Sequence, residues 1–131
     1  MRMPVLLFLA LAAVIYGCNN ATEPIVTGQW GSNDASLTLS SHGGSAVFAC
    51  AEAIIDSGWT GRDDGHWSGI GRIASTAGPA PIEGRPTRPA RFDGAVTKDR
   101  MQFRTIITDV NDTIGPYTLQ RGVIGPGNRC L

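Results

Sequence analysis

Short runs in which apolar and polar residues alternate one for one recur along most of this chain, and clusters of turn-forming residues separate them. Ala35, Leu37 and Leu39 alternate with Ser36, Thr38 and Ser40. Successive side chains of a strand point to opposite faces, so this pattern is that of a strand with one buried face. Ser45–Ala51 repeats it with Ala46, Phe48 and Cys50 on one face. Further on, Trp67, Gly69, Gly71 and Ile73 share a face, then Ala90, Phe92, Gly94 and Val96, then Met101, Phe103, Thr105 and Ile107, and finally Tyr117, Leu119, Arg121 and Val123. Turn signals fall between them at Gly31–Asp34, His42–Gly44, Asp63–Gly65, Lys98-Asp99 and Asn111-Asp112. About seven or eight short strands at this spacing predict an all-β barrel or sandwich. Sequential hairpins favour a small antiparallel up-and-down barrel, whose closure removes exposed edges. Two stretches depart from the pattern. Ala51–Ser57 reads as a short helical piece, and 75–89, with Pro79, Pro81, Pro86 and Pro89, reads as an exposed loop.

Composition narrows the function classes. Lys and Arg together balance Asp and Glu, so the chain lacks the basic excess of a nucleic-acid binder. Charged residues are 17% and apolar ones 42%, the reverse of a disordered composition.

The first residues carry a different signal. Arg2 precedes an unbroken apolar run from Val5 to Ile15, too short to span a bilayer as a helix and followed by small Gly17. This is the layout of a secretory signal peptide over residues 1–17. Ile15-Tyr16-Gly17-Cys18 resembles the bacterial lipobox. The resemblance implies cleavage before Cys18, diacylglycerol on its thiol and usually a third acyl chain on the new amine. Two or more chains anchor a protein stably where one does not. Asn19 stands where Asp would favour inner-membrane retention, so the resemblance leans to the outer membrane of a bacterial envelope. Residues 18–24 then form a lipidated N-terminus and tether, and 25–131 a single barrel domain.

With Cys18 assigned to lipid, Cys50 and Cys130 remain, and an exported compartment permits a disulfide between them. Such a bond would contribute on the order of 4–5 kcal/mol by loop-closure entropy. Two free buried thiols are the alternative reading.

Gly28-Gln29-Trp30 resembles the Gly-x-Trp signature that opens the first strand of lipocalins and the wider calycin barrels, avidin-like ones included. The resemblance implies an arginine on the last strand packed across that tryptophan, and Arg121 occupies the matching place. The chain is also similar to small bacterial lipoproteins that read Gly-x-Trp-Gly, Phe-Ala-Cys-Ala and Tyr-Thr-Leu-x-Arg-Gly, here 28–31, 48–51 and 117–122. That family supplies no activity.

No set of residues points to catalysis or to a cofactor. Asp63, Asp64 and His66 have a turn explanation in preference to metal ligation, and no phosphate-cradling glycine loop is present. The expected function is therefore a non-catalytic binding module, with a small apolar ligand as its candidate cargo and Trp30, Arg121, Trp67, Tyr117 and Phe103 binding it or closing the barrel. Whether Phe48, Trp67, Phe92, Met101, Phe103 and Tyr117 fill the interior, or the strand glycines leave it hollow, stays open. So does the choice for Trp59 between an exposed contact and a lid. The alternative function is a proteinaceous inhibitor or partner-binding protein of the envelope, similar in type to lysozyme inhibitors. Its candidate contact is the 79–89 segment with Arg85, Arg88 and Arg91.

Overall fold

A computed structural model describes residues 25–125, and Cys18 and Cys130 lie outside them. The described residues form nine strands and no helix: β1 (Gly28–Gly31), β2 (Ala35–Ser40), β3 (Gly43–Phe48), β4 (Ala51–Ile55), β5 (Thr60–Gly61), β6 (His66–Ser75), β7 (Thr87–Thr97), β8 (Arg100–Ile107) and β9 (Asp112–Arg121). Every pairing is antiparallel, and each strand of the meander pairs with the next. Two pairings close the ring: Trp30 of β1 stands opposite Arg121 of β9, and Ala53 of β4 opposite Ile73 of β6. The result is a closed eight-stranded barrel with β5 outside the closure. β5 follows β4 along the same edge of β6 after the excursion 57–59.

The alternation read from the sequence is the inside–outside alternation of the barrel. Trp30, Leu37, Leu39, Phe48, Ile55, Trp67, Phe92, Met101, Phe103 and Leu119 are buried in one core. Aromatic rings run through its middle. Phe103 stacks on Trp67 at 5.9 Å, on Phe48 at 6.1 Å and on Phe92 at 6.4 Å between centroids. Tyr117 is half-buried and packs on Phe48 at 5.9 Å. Gly94 makes room for this column, because a β-carbon there would fall well inside contact distance of the Trp67 indole nitrogen. The middle of the barrel is therefore filled, which answers the question left open by the sequence.

Strand direction gives the barrel two unlike ends. The chain enters beside Ile25, and this end also carries the turns at 41–42, 62–65 and 98–99. It is capped. The Trp30 indole donates to the Val26 carbonyl at 2.9 Å. Trp59 sits edge-on to Trp67 at 6.0 Å and donates to the Ser40 carbonyl at 2.6 Å, so it acts as a lid. The opposite end carries the turns at 32–34 and 49–50, the 76–86 loop and the turn 108–111. After Arg121 the chain reverses and runs back over the outside of β1. Its backbone at 123–125 lies directly on Gly31, where any side chain would collide with the Val123 carbonyl.

Several local expectations are corrected. Ala51–Ile55 is strand, not helix, since pairing with both β3 and β6 satisfies its backbone better than one isolated turn. β3 stops at Phe48, so Cys50 sits in the exposed hairpin turn rather than on the buried face. The irregular segment is 76–86, and Pro89 lies within β7 opposite Arg72. The last strand starts at Asp112 and ends at Arg121, which removes Val123 from its alternation.

Candidate functional site at the barrel mouth

Among the described residues the capped end and the aromatic column are closed, and the inner face opens at the end opposite Ile25. A concavity of about 720 Å³ lies there. Its inner lining follows from strand phase. Ile73 and Ala51 face inward on β6 and β4, and Ile107 and Ile114 do so on β8 and β9. They give an apolar floor packed against the core.

The same phase carries charges inward. Arg88 pairs with Ile73 and lies two residues before buried Ala90, which puts it on the inner face of β7 at the rim. Asp112 pairs with Ile107 and holds the corresponding place on β9. Asp109, in the turn between β8 and β9, approaches Arg88 at 3.9 Å. Among the described residues Asp112 makes no ion pair. Level with Ile114 of the floor, its cross-strand partner Thr105 is fully buried, and its hydroxyl has no hydrogen-bond partner among the described residues.

The 76–86 loop rises from the same rim, and its arginine is occupied. Arg85 donates to the carbonyls of Ser75, Ala77 and Gly78 at 3.1, 3.1 and 2.7 Å. Gly84 donates to Pro81 at 3.0 Å, which presents Ile82 wholly exposed at the tip. Arg91 lies on the outer face opposite Ile70 and Ile106. The three arginines of this segment therefore do not form one cationic contact.

The residues singled out from the sequence separate into two groups. Arg121 and Trp30 meet at the capped end, with the guanidinium carbon 4.2 Å from the indole centroid. Arg121 also donates to the Ile25 carbonyl and lies 3.4 Å from Asp99. Trp67, Phe103 and Tyr117 belong to the filled column. None of these five lines the mouth. Arg88 and Asp112 went unrecognised as inner-face residues because both were assigned to irregular chain. Counting back by twos from Ala90 places Arg88, whereas Asp112 falls out of the phase set by Tyr117 and Leu119 because a bulge intervenes before Ile114.

A second concavity, of about 630 Å³, lies on the outer wall over β6–β8. Its lining mixes Trp67, Phe103 and Pro116 with charged side chains, and among these Asp93 and Arg104 satisfy each other at 3.2 and 3.0 Å. In the nearby turn Asp64 accepts from Arg62 at 2.7 Å and from the His66 amide at 3.1 Å. The Arg62 guanidinium, then the His66 amide, hold its carboxyl well below the usual carboxylate range. Among the described residues no three His, Cys, Asp or Glu side chains form a group that could hold a metal ion.

The fold defines the class, a closed antiparallel barrel compatible with the calycin type. No family model, curated protein or solved structure matches the chain.

Proposed function

We propose that this protein is a lipid-anchored lipoprotein of the bacterial cell envelope, with the outer membrane as its address, acting as a non-catalytic module that binds an apolar group at the barrel mouth. The observation that carries the binding reading is the isoleucine-floored concavity at the end of the barrel that the described residues leave open. The anchor reading rests on the lipobox-like sequence. It gains support from polarity: the chain enters at the capped end, so acylation of Cys18 would set that end toward the membrane and turn the mouth away.

The Cys50–Cys130 disulfide belongs to the same proposal. Gly125 lies against the Ala35 carbonyl, and Ala35 pairs with Phe48, two residues before Cys50. Five further residues span up to about 17 Å, enough to reach from Gly125 to the β3–β4 turn.

The reading is tested by titrating purified protein with 1-octanol and following the isoleucine methyl resonances. Shifts are expected at Ile73, Ile107 and Ile114, and Ile107→Asp should abolish them. An absence of shifts at these three methyls would overturn the mouth as an apolar binding site.

A further inference from the structure

The two ends of the barrel differ in charge as well as in shape. At the capped end Asp64 is engaged by Arg62 at 2.7 Å and Asp99 by Arg121 at 3.4 Å. That leaves Lys98 and Arg100 against Asp63, and among the described residues neither base makes an ion pair. The open end is the reverse, with Asp34, Glu83, Asp109 and Asp112 outnumbering Arg85 and Arg88. Lys98 and Arg100 are both exposed and belong to one hairpin, where Arg100 pairs with Thr97. Lys98 takes φ of 58°, a conformation that glycine or asparagine reaches at lower cost. Neither turn chemistry nor packing therefore accounts for a lysine at the tip. A concavity of about 600 Å³ beside the turn is lined by both bases. Ile25, where the chain enters this end, is 65% exposed.

We infer that the capped end docks on an anionic lipid bilayer, with Lys98 and Arg100 on headgroup phosphates and the Ile25 side chain in the headgroup layer. This rests on the anchor reading above and adds a contact that acyl chains do not make. Residues 18–24 reach at most about 25 Å, so an acylated Cys18 would hold this end within that distance of the bilayer. A weak surface contact is then made at high effective concentration. One Lys or Arg at an anionic surface strengthens attachment about fivefold. The acids of the open end are repelled by the same surface, so both ends favour one orientation, with the mouth turned away from the lipid.

Residues 19–131 hold every strand of the closed barrel and lack Cys18, so they isolate this contact from acylation. They are floated with phosphatidylcholine vesicles and with vesicles containing about 30% phosphatidylglycerol. Binding to the anionic vesicles is expected to be at least about tenfold stronger, and about 0.5 M NaCl should abolish the difference. Lys98→Asn and Arg100→Gln should each reduce it about fivefold. Arg91→Gln, which removes the same charge from the outer wall at mid-height, should leave it within about twofold. Unchanged melting temperatures check that the variants fold. Full-length protein purified from bacterial membranes, floated with phosphatidylcholine vesicles, tests the anchor separately. If it floats while 19–131 shows no anionic preference, or while Arg91→Gln weakens binding as much as Lys98→Asn and Arg100→Gln, the docking inference fails and the anchor survives. If it does not float while 19–131 behaves as expected, the anchor fails and the docking end stands. If neither protein binds, both fail.

Discussion

Replacing Arg121 by Met tests whether the capped end is held by a specific contact or merely decorated with a charge. The guanidinium lies 4.2 Å over Trp30, and its side chain is 30% exposed. A cation–π contact in such a half-buried setting is worth about 1 kcal/mol. The charged donor to the Ile25 carbonyl adds about 1.5 kcal/mol. The Asp99 partner is 85% exposed, so that pair adds a few tenths of a kcal/mol at most. Met keeps the aliphatic stem packed on the ring, which leaves the charge-dependent contributions as the difference. The expected loss is about 2–3 kcal/mol, or roughly 10–20 °C in melting temperature for a domain of this size. Urea denaturation followed by tryptophan fluorescence measures it directly. In about 1 M NaCl the Asp99 contribution should vanish while most of the loss remains, because only exposed pairs are fully screened. Arg121→Lys should recover less than half, since an ammonium cannot lie flat on the indole and still reach the Ile25 carbonyl with a fixed fork. A loss below about 0.5 kcal/mol, or one abolished by salt, would refute the reasoning and reduce Arg121 to an ordinary surface charge.

Gly94→Ala should cost about 1–3 kcal/mol or more, because the added methyl displaces the Trp67 indole from its stack; an unaltered near-ultraviolet circular dichroism spectrum would count against this. Cys18→Ala should move the protein from the membrane fraction to the soluble one, and unchanged membrane association would remove the anchor. Oxidised protein should migrate differently on reducing and non-reducing gels, with no thiol released on unfolding. Two thiols titrating in the unfolded oxidised chain would rule out a Cys50–Cys130 bond, whose loss through Cys130→Ser is otherwise expected to cost about 2–5 kcal/mol.

Period-two patterning is a local property, and it was sufficient for the class of fold. Ala35–Leu39, Ala90–Val96 and Met101–Thr105 each put their apolar members inward as read, because a pleated strand leaves no other arrangement once one face is buried. Turn residues were legible for the same reason. Lys98 and Asn111 adopt φ of 58° and 51° in the hairpins their neighbourhoods predict. Ala51–Ile55 was not legible, since its strand conformation comes from two partners distant in sequence. Alternation with Ala46 and Phe48 puts Cys50 on the buried face, but the strand ends at Phe48, three residues before the expected end at Ala51, so Cys50 falls in the hairpin turn.

The candidate site shows the same division. Composition and alternation determined that there would be a barrel with an aromatic-rich interior, and the Gly28-Gln29-Trp30 motif indicated Arg121 as its companion. Only the closed ring decided that the rings of Phe48, Trp67, Phe92 and Phe103 meet in one column and fill the middle. It also decided that Arg88 and Asp112, which lie in a loop and a turn by sequence pattern, stand on the inner-face side of their strands at the end the described residues leave open. Whether an inward side chain lines a cavity or plugs it depends on what the opposite strands contribute at the same height, and that is a property of the closed ring rather than of any single segment.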